Sequence, residues 1–490
     1  MQPSMKLSVG LLEAVGVLSA AIVASQYVDD WLGGASLVAL WLGYKLLNMG
    51  DRIPILFLAY AFQWTQVTVG VFYGPLFGRT LLTTIESDYR PMVMIGLGCV
   101  LALACGIRLG VFAMRRLAPP RDYDERVALL FSWPLLITLY AGSIFVEGTL
   151  VRYQGEFSSL RQILVSATVV RYVLLFLILR RLTYPRFQWH GFALLLATEV
   201  VLGFTTYFAG FREPLVFGVI ALFEVFDRRR MQHWVALAAL VAVMAATGVV
   251  WIGVRDAYRK DFDAIDTFAT SSKARLNRMS ELSGRFLQRD SRDMLGALDQ
   301  MIDRMWAVYY PALALARVPR VLPHTDGAML AAAVQHVFTP RVFFPDKPEL
   351  PSDSETVRKY SGVWVAGREE GTTIAFGYAA ESYVDFGVPM MFLPVFGFGV
   401  FMGVMYAWFL NAISSRELAV ALVTVIFWLS LYLFERSWAN NLGYALGMIV
   451  YLGIPVVILD RFFLSRMFRR RAPIDDEHDP FMPVARSAER

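Results

Sequence analysis

Apolar runs of about 20 residues recur along this 490-residue chain and constrain its fold more than any other feature. A bilayer core about 30 Å thick requires a run of that length from each spanning helix, and soluble proteins rarely repeat such runs. Charged residues make up only 18% of the sequence, whereas about a quarter is usual in soluble domains. The sequence therefore predicts an all-α polytopic membrane protein and excludes soluble enzymes, nucleic-acid-binding proteins and secreted disulfide scaffolds.

The arginine-rich connections between the apolar runs set the predicted topology. Clusters lie within 115–126, 180–186 and 228–230, and another follows the last run at 466–471. When about twelve spans alternate in direction, all four clusters fall on one side, which the positive-inside rule assigns to the cytoplasm together with both termini. The predicted spans are 7–27, 31–49, 53–76, 92–113, 127–147, 161–180, 190–210, 212–227, 233–253, 386–411, 417–435 and 438–463.

One long segment separates spans nine and ten and falls outside the cytoplasm. The chain thus divides into spans one to nine (1–253), a large periplasmic loop (254–376), spans ten to twelve (377–465) and a disordered cytoplasmic tail (466–490). Long translocated loops are largely exempt from the positive-inside rule, so the arginines of this loop do not oppose the orientation. Helical spacing of apolar residues from Met294 to Trp306 predicts amphipathic helices in the loop, and Thr325-Asp326 predicts the cap of a helix reaching His336. A cap lying on the membrane explains these helices equally well.

Cationic and acidic side chains meet where the loop returns to the membrane. The proline-rich segment 340–348 carries Arg341 and Lys347, and Arg358 follows it. Glu381 and Asp385 are four residues apart, which places them on one helix face at the entrance to span ten. A solvated loop with ordinary turn residues is the alternative to a site.

Arg212 stands in the short outer turn between spans seven and eight, in the sequence Gly210-Phe-Arg-Glu213. A guanidinium held at the membrane surface can grip phosphate oxygens with two hydrogen bonds, although an ion pair with Glu213 is the simpler role. Other arginines near predicted span ends are candidate helpers, for which lipid headgroup contact is the alternative. They are Arg152, Arg161, Arg255, Arg259 and Arg436.

Two opposite charges lie inside predicted spans. Arg171 is about midway through span six and Glu199 about midway through span seven, so antiparallel neighbours would bring them to similar depth. A buried charge in lipid is costly unless it is paired. We therefore expect these residues to pair, either as structural contacts or as part of a polar pathway.

Several of these segments together resemble the Wzy-type oligosaccharide repeat-unit (O-antigen) polymerases. The likeness rests on the outer turn Gly210-Phe-Arg212, on Pro340-Arg with Pro345-Asp-Lys-Pro348, and on Gly377-Tyr-Ala-Ala-Glu-Ser-Tyr-Val-Asp-Phe-Gly387. It covers most of the chain in layout, and it differs in lacking a pair of Arg-x10-Gly motifs, since only Arg285 with Gly296 has that spacing. The resemblance implies a metal-independent glycosyltransferase without a cofactor, in the bacterial inner membrane.

The resemblance also implies what the protein does there. Its members make lipopolysaccharide or exopolysaccharide chains by moving a growing glycan from undecaprenyl diphosphate onto a lipid-linked repeat unit at the periplasmic face. Expected partners are membrane lipids, a chain-length regulator and a flippase of the same pathway, with no nucleic acid.

The implied reaction assigns roles to the outer-loop residues. Arg212 and Arg341 would bind the anionic carrier, with Arg341 at the reacting centre and Lys347, Arg358, Arg255 and Arg259 as further binding residues. Glu381 and Asp385 are the first candidates for a general base, followed by His324 and His336, and such a base typically contributes about a hundred- to ten-thousandfold.

Three other functions remain open at this point. An O-antigen ligase shares the layout and would use a loop histidine such as His324 or His336. A membrane glycosyltransferase with acidic residues after its first span would use Asp29 and Asp30, but the outer loop there is short. A non-enzymatic flippase of lipid-linked oligosaccharides would explain charges inside spans, while the long outer loop counts against it.

Overall fold

The computed structural model describes residues 10–28, 30–49, 53–81, 84, 86–118, 131–153, 161–184, 187–204, 210–261, 272–339, 341, 344, 346–370 and 372–464. Within these residues the regular structure is helical and includes no strand. The predicted tail at 466–490 lies outside them. The helices are α1 (Leu11–Val28), α2 (Trp31–Leu47), α3 (Ile55–Phe77), α4 (Arg90–Leu117), α5 (Trp133–Tyr153), α6 (Arg161–Thr183), α7 (Trp189–Phe204), α8 (Arg212–Glu224), α9 (Met231–Asp261), α10 (Ser272–Leu287), α11 (Ser291–Met305), α12 (Tyr309–Arg317), α13 (Ala328–Phe338), α14 (Asp353–Ser361), α15 (Tyr378–Phe386), α16 (Phe392–Ala412), α17 (Arg416–Leu431) and α18 (Trp438–Leu464).

Seven of the described helices are long and apolar enough to cross a membrane, namely α3, α4, α5, α6, α9, α16 and α18. They support a polytopic helical membrane protein. The other five predicted spans coincide with α1, α2, α7, α8 and α17, which are shorter. Each predicted span thus matches a helix, whereas the number of crossings stays a prediction.

Side-chain contacts join the helices at two opposite ends of the bundle. At one end Lys45 pairs with Glu13 at 2.7 Å, and Arg108 donates to the carbonyl oxygen of Leu46 at 2.8 Å. We call it the basic end, because the arginines at the ends of α4 and α6 and in the turn after α8 lie there. At the other end Arg90 pairs with Asp30 at 2.8 Å. Helices α10–α15 pack on this second end, which we call the loop-side end.

Helices α4 and α16 form the closest pair in the bundle. Gly106 and Gly110 on α4 face Gly399 and Gly403 on α16, and a Cβ at any of these four positions would overlap the backbone of the opposite helix. Small residues four apart allow this approach and are typical of membrane helix pairs. Hydropathy alone locates both helices but does not indicate that they pair.

Helix α11 confirms the amphipathic stripe predicted from Met294 onward and is anchored to the bundle. The Trp306 ring lies against Gly70 of α3, and its indole N–H donates to the Val67 carbonyl oxygen at 3.0 Å. The Asp299 carboxylate accepts from the Tyr73 hydroxyl at 2.7 Å. The loop helices are therefore docked on α3 and form part of the same structure as the bundle.

Two helices differ in extent from the predicted spans. Helix α9 continues to Asp261, so the limit at 253 falls inside a continuous helix. Helix α16 begins at Phe392 instead of 386, because α15 is a separate helix that ends at Gly387. The φ angle of Gly387 is 64°, and a Cβ there would lie 3.0 Å from the His324 ring, so the turn and its close packing both favour glycine.

Candidate functional site

An unwound segment, residues 432–437, joins α17 to α18 at the loop-side end. Side chains and backbone from other helices hold its polar groups: the Gln66 Oε1 accepts from the Phe434 N–H at 2.7 Å, and the Tyr378 N–H donates to the Arg436 carbonyl oxygen at 2.8 Å. Irregular backbone beside a bilayer requires such internal partners. The segment is thus a fixed platform between α17 and α18.

Two arginines converge on one tyrosine of this platform. Arg212, at the start of α8, donates from Nη2 to the Tyr432 hydroxyl at 2.7 Å, and its guanidinium carbon lies 5.1 Å from the ring centroid. The Arg436 guanidinium lies 5.6 Å from the same ring and 4.7 Å from the Tyr444 ring of α18. The charge of Glu435 interacts with both arginines. We call Arg212, Tyr432, Glu435, Arg436 and Tyr444 the arginine–tyrosine cluster.

The charges of this cluster suit an anionic ligand. The Arg212 side chain is 46% exposed. It pairs with Glu213 at 2.8 Å, which is the ion pair that the sequence predicts as the alternative to phosphate binding. Glu213 and Glu435 balance the two guanidiniums, and Glu213 accepts from Nε and Nη2 of Arg212, so a phosphate that takes this pair of donors displaces the Glu213 carboxylate. The cluster then offers both a phosphate-binding fork and a carboxylate able to accept a proton.

Arg341 and Lys347 come together in a second group, the outer-loop cluster, with His336 and Glu349. The Lys347 ammonium donates to the His336 carbonyl oxygen at 2.8 Å, and Glu349 pairs with Arg341 at 3.5 Å. Burial, and then the charges of Lys347 and Arg341, lower the pKa of His336. Burial and these two cations thus favour the neutral form of the His336 imidazole. Helix α13, which carries His336, packs against α18, so both clusters lie at the loop-side end.

Arg358 has a structural position instead of the expected substrate-binding one. Its Nε donates to the Val365 carbonyl oxygen at 2.8 Å, and its Nη2 pairs with Glu369. The guanidinium stacks on Trp364, 5.2 Å from the ring centroid. These contacts fix the turn that follows α14.

Arg255 and Arg259 lie on the extension of α9 beyond the predicted span. Arg255 is only 5% exposed, so it is not the headgroup contact considered above. Its Nε pairs with Asp256 at 3.0 Å, while Nη1 has no hydrogen-bond partner among the described residues. The charge of Arg259 acts on Arg255.

Glu381 and Asp385 share one face of α15, as their spacing predicts, but both are buried and cap other helices. Asp385 accepts from the backbone N–H of Met329 at 3.0 Å and of Leu330 at 2.8 Å, and also from the Thr325 hydroxyl. It therefore caps α13, which corrects the expected cap at Thr325-Asp326.

Glu381 accepts from the Trp438 N–H at 2.7 Å and caps α18. Burial raises the pKa of Glu381 to about 8. Both carboxyl groups thus accept hydrogen bonds at helix termini, and their role as a general base stays a prediction. His324 is likewise occupied, because its Nδ1 lies 3.1 Å from the Tyr383 carbonyl oxygen.

Sequence analysis does not identify Tyr432, Tyr444 or Glu435, and it names Arg436 only as a helper. The available signal is the charged pair Glu435-Arg436, which interrupts two apolar runs. In the described part of the chain, no group of three His, Cys, Asp or Glu side chains is arranged to hold a metal ion. No family model, curated protein or solved structure matches this sequence or fold.

Proposed function

We propose that this chain is a Wzy-type polymerase that transfers a growing glycan from undecaprenyl diphosphate to an incoming lipid-linked repeat unit. The observation that carries the proposal is the arginine–tyrosine cluster at the loop-side end of an apolar helix bundle. A polyprenyl diphosphate has an apolar tail that requires lipid and a dianionic head that requires cations at the membrane surface. The cluster offers two guanidiniums at such a position.

The proposed orientation follows from the charges at the two ends. The basic end would face the cytoplasm and the loop-side end the periplasm of a bacterial inner membrane, with twelve crossings and both termini cytoplasmic. Five helices shorter than a full span are compatible with this count where neighbouring helices cover their ends.

The proposed reaction is a displacement at the anomeric carbon of the donor. The acceptor hydroxyl forms the new glycosidic bond, the bond from the anomeric carbon to the diphosphate oxygen breaks, and undecaprenyl diphosphate leaves with the electron pair. Arg212 and Arg436 would hold the leaving diphosphate and stabilise its charge. The hydroxyl proton would pass to Glu435, which lies in the same cluster, or to Glu213 once phosphate has displaced it.

The outer-loop cluster fits the second substrate. Arg341 and Lys347 would bind the diphosphate of the incoming repeat unit, which must be held so that its sugar hydroxyl reaches the donor. Positioning of two bound reactants accounts for much of the rate enhancement in such transfers. Arg255, Arg259 and Arg358 support the fold in this proposal and do not contact substrate.

The test is a gel of surface and lipid-linked glycans from a deletion strain complemented with variants. We expect Arg212→Ala, Arg436→Ala and Arg341→Ala to abolish long chains and accumulate single-repeat products at normal protein level, since loss of one charge-stabilising group typically costs about 10²–10³ in rate. Arg285→Ala is the matched control, because Arg285 is 65% exposed on α10 and pairs with Glu281 on the same helix. Full-length polymer from both Arg212→Ala and Arg436→Ala would refute the proposal.

The same gel tests the ligase alternative. The position of His336 in the outer-loop cluster, in contact with Lys347, is the observation that favours it, because a ligase would use a loop histidine as a base. Long chains that remain on the carrier in the deletion strain would indicate a ligase. A glycan profile unchanged by the deletion would instead indicate a transporter or another transferase.

A further inference from the structure

A buried charged group joins α5, α6 and α7, apart from both clusters. Arg171 on α6 pairs through Nη1 with Glu147 on α5 and through Nη2 with Glu199 on α7. The Tyr140 hydroxyl is hydrogen-bonded to Glu199 Oε1. The predicted pairing of Arg171 with Glu199 is confirmed, and Glu147 and Tyr140 are additional members. We call Arg171, Glu147 and Glu199 the buried triad.

The charges of the triad do not balance if both carboxyl groups are ionised. One guanidinium then faces two carboxylates, which leaves one net negative charge among apolar helices. The other titratable groups near it are Tyr172, whose ring centroid lies 5.8 Å from the Arg171 guanidinium, and Glu213 and Tyr444, which face Tyr172. These groups are acids, so they add no compensating positive charge. An uncompensated buried charge is avoided by binding a proton.

We propose that the buried triad binds one proton, which resides on Glu199. In the structure the Tyr140 hydroxyl donates to Oε1; protonation of Oε1 reverses this hydrogen bond, so that Oε1 donates to the hydroxyl oxygen while Oε2 accepts from Arg171. Glu147 remains ionised as the counter-ion of Arg171, and the triad is neutral. Glu199 is the protonated member because its side chain is 0% exposed and its Oε1 contacts a neutral hydroxyl, that of Tyr140, which can donate or accept, whereas the Glu147 side chain is 23% exposed.

The proton couples the packing of three helices to pH. Its loss on raising the pH places a second negative charge beside Glu147 and weakens the contacts of α6 with α5 and α7. Helix α6 also carries Tyr172, whose ring packs 5.6 Å from the Phe217 ring of α8, the helix that begins with Arg212. Alkaline pH therefore loosens the support of Arg212. The proposal does not depend on the proposed function.

Infrared difference spectroscopy of the purified protein in lipid nanodiscs tests the proposal through the carbonyl stretch of a protonated carboxyl group. All measurements use a Glu381→Gln background, because Glu381 is expected to contribute a band of its own. We expect one band that disappears in Glu199→Gln, which has no carboxyl group there. It should also disappear in Glu147→Gln, because Glu199 then ionises as the only partner of Arg171. The exposed Glu281→Gln is the matched control and should keep the band.

A second measurement uses stability. The amide of Glu199→Gln imitates the protonated acid, donating to Tyr140 and accepting from Arg171, so this variant should fold and unfold at the wild-type temperature near neutral pH. At alkaline pH the background protein should lose stability while Glu199→Gln does not. An unchanged band in Glu199→Gln, a band retained in Glu147→Gln, or failure of Glu199→Gln to fold would each overturn the proposal.

Discussion

Asp385→Asn distinguishes a helix cap from a catalytic base at this buried carboxylate. Asp385 accepts from two backbone N–H groups at the start of α13 and from the Thr325 hydroxyl. An amide at this position keeps one accepting oxygen and turns an NH2 group toward a donor. A hydrogen bond to a charged group contributes about 1.5–3 kcal/mol, so we expect Asp385→Asn to lower the free energy of unfolding by about 2–3 kcal/mol and Asp385→Ala by about twice that.

The assay is unfolding of the purified protein in detergent, combined with hydrogen exchange at the amides of Met329 and Leu330. Both amides should exchange faster in the variant, because they lose their acceptors. Asp290→Asn is the matched control, since Asp290 immediately precedes α11 but makes no side-chain cap to it. An Asp385→Asn protein with wild-type stability and exchange but no activity would refute the capping role and restore Asp385 as a base.

Three further perturbations test other contacts. Gly70→Ala should displace Trp306 from α3 and lower the free energy of unfolding by about 1–3 kcal/mol through overpacking. Gly142→Ala is the control, because nothing lies within 4 Å of a Cβ at that position. The unfolding temperature should fall in the first variant and stay unchanged in the second. Because the pKa of Glu381 is raised, the protonated side chain contributes fully to stability below the ordinary pKa near 4.5, and this contribution is lost as the pH rises through about 8. The free energy of unfolding should therefore decline between these two pH values. In Glu381→Gln this decline should be smaller. Arg436→Lys keeps the charge but not the planar group that stacks between two tyrosines, so chain length on the glycan gel should fall at normal protein level; unchanged chains would contradict the stacking.

The helices are predictable from the sequence because a segment in lipid has no water to hydrogen-bond its backbone. Each apolar run must satisfy its own backbone hydrogen bonds, which makes it helical wherever it packs. The pairing of Arg171 with Glu199 is predictable for the same reason, since depth along two antiparallel helices follows from counting residues. Glu147 was not identified because depth does not show which third helix lies beside that pair.

The candidate site is less predictable because its members meet through tertiary packing. Arg212 and Tyr432 are 220 residues apart in the chain, and no local pattern brings them together. Spacing correctly places Glu381 and Asp385 on one face of α15. It does not reveal that this face covers the first turns of α13 and α18, where a carboxyl group accepts hydrogen bonds from free backbone N–H groups.

The caps and the unwound segment belong to one arrangement. Glu381 caps α18 immediately after residues 432–437, and the N–H of Tyr378, at the start of the same short helix α15, donates to the Arg436 carbonyl oxygen. Helix α15 therefore fixes the backbone from which Tyr432 and Arg436 project, while Asp385 fixes α13 of the outer-loop cluster on the other side. A site that stabilises developing charge needs donors held in place before the substrate arrives. In the proposed reaction Glu381 and Asp385 act indirectly, because they hold the backbone that carries the arginines.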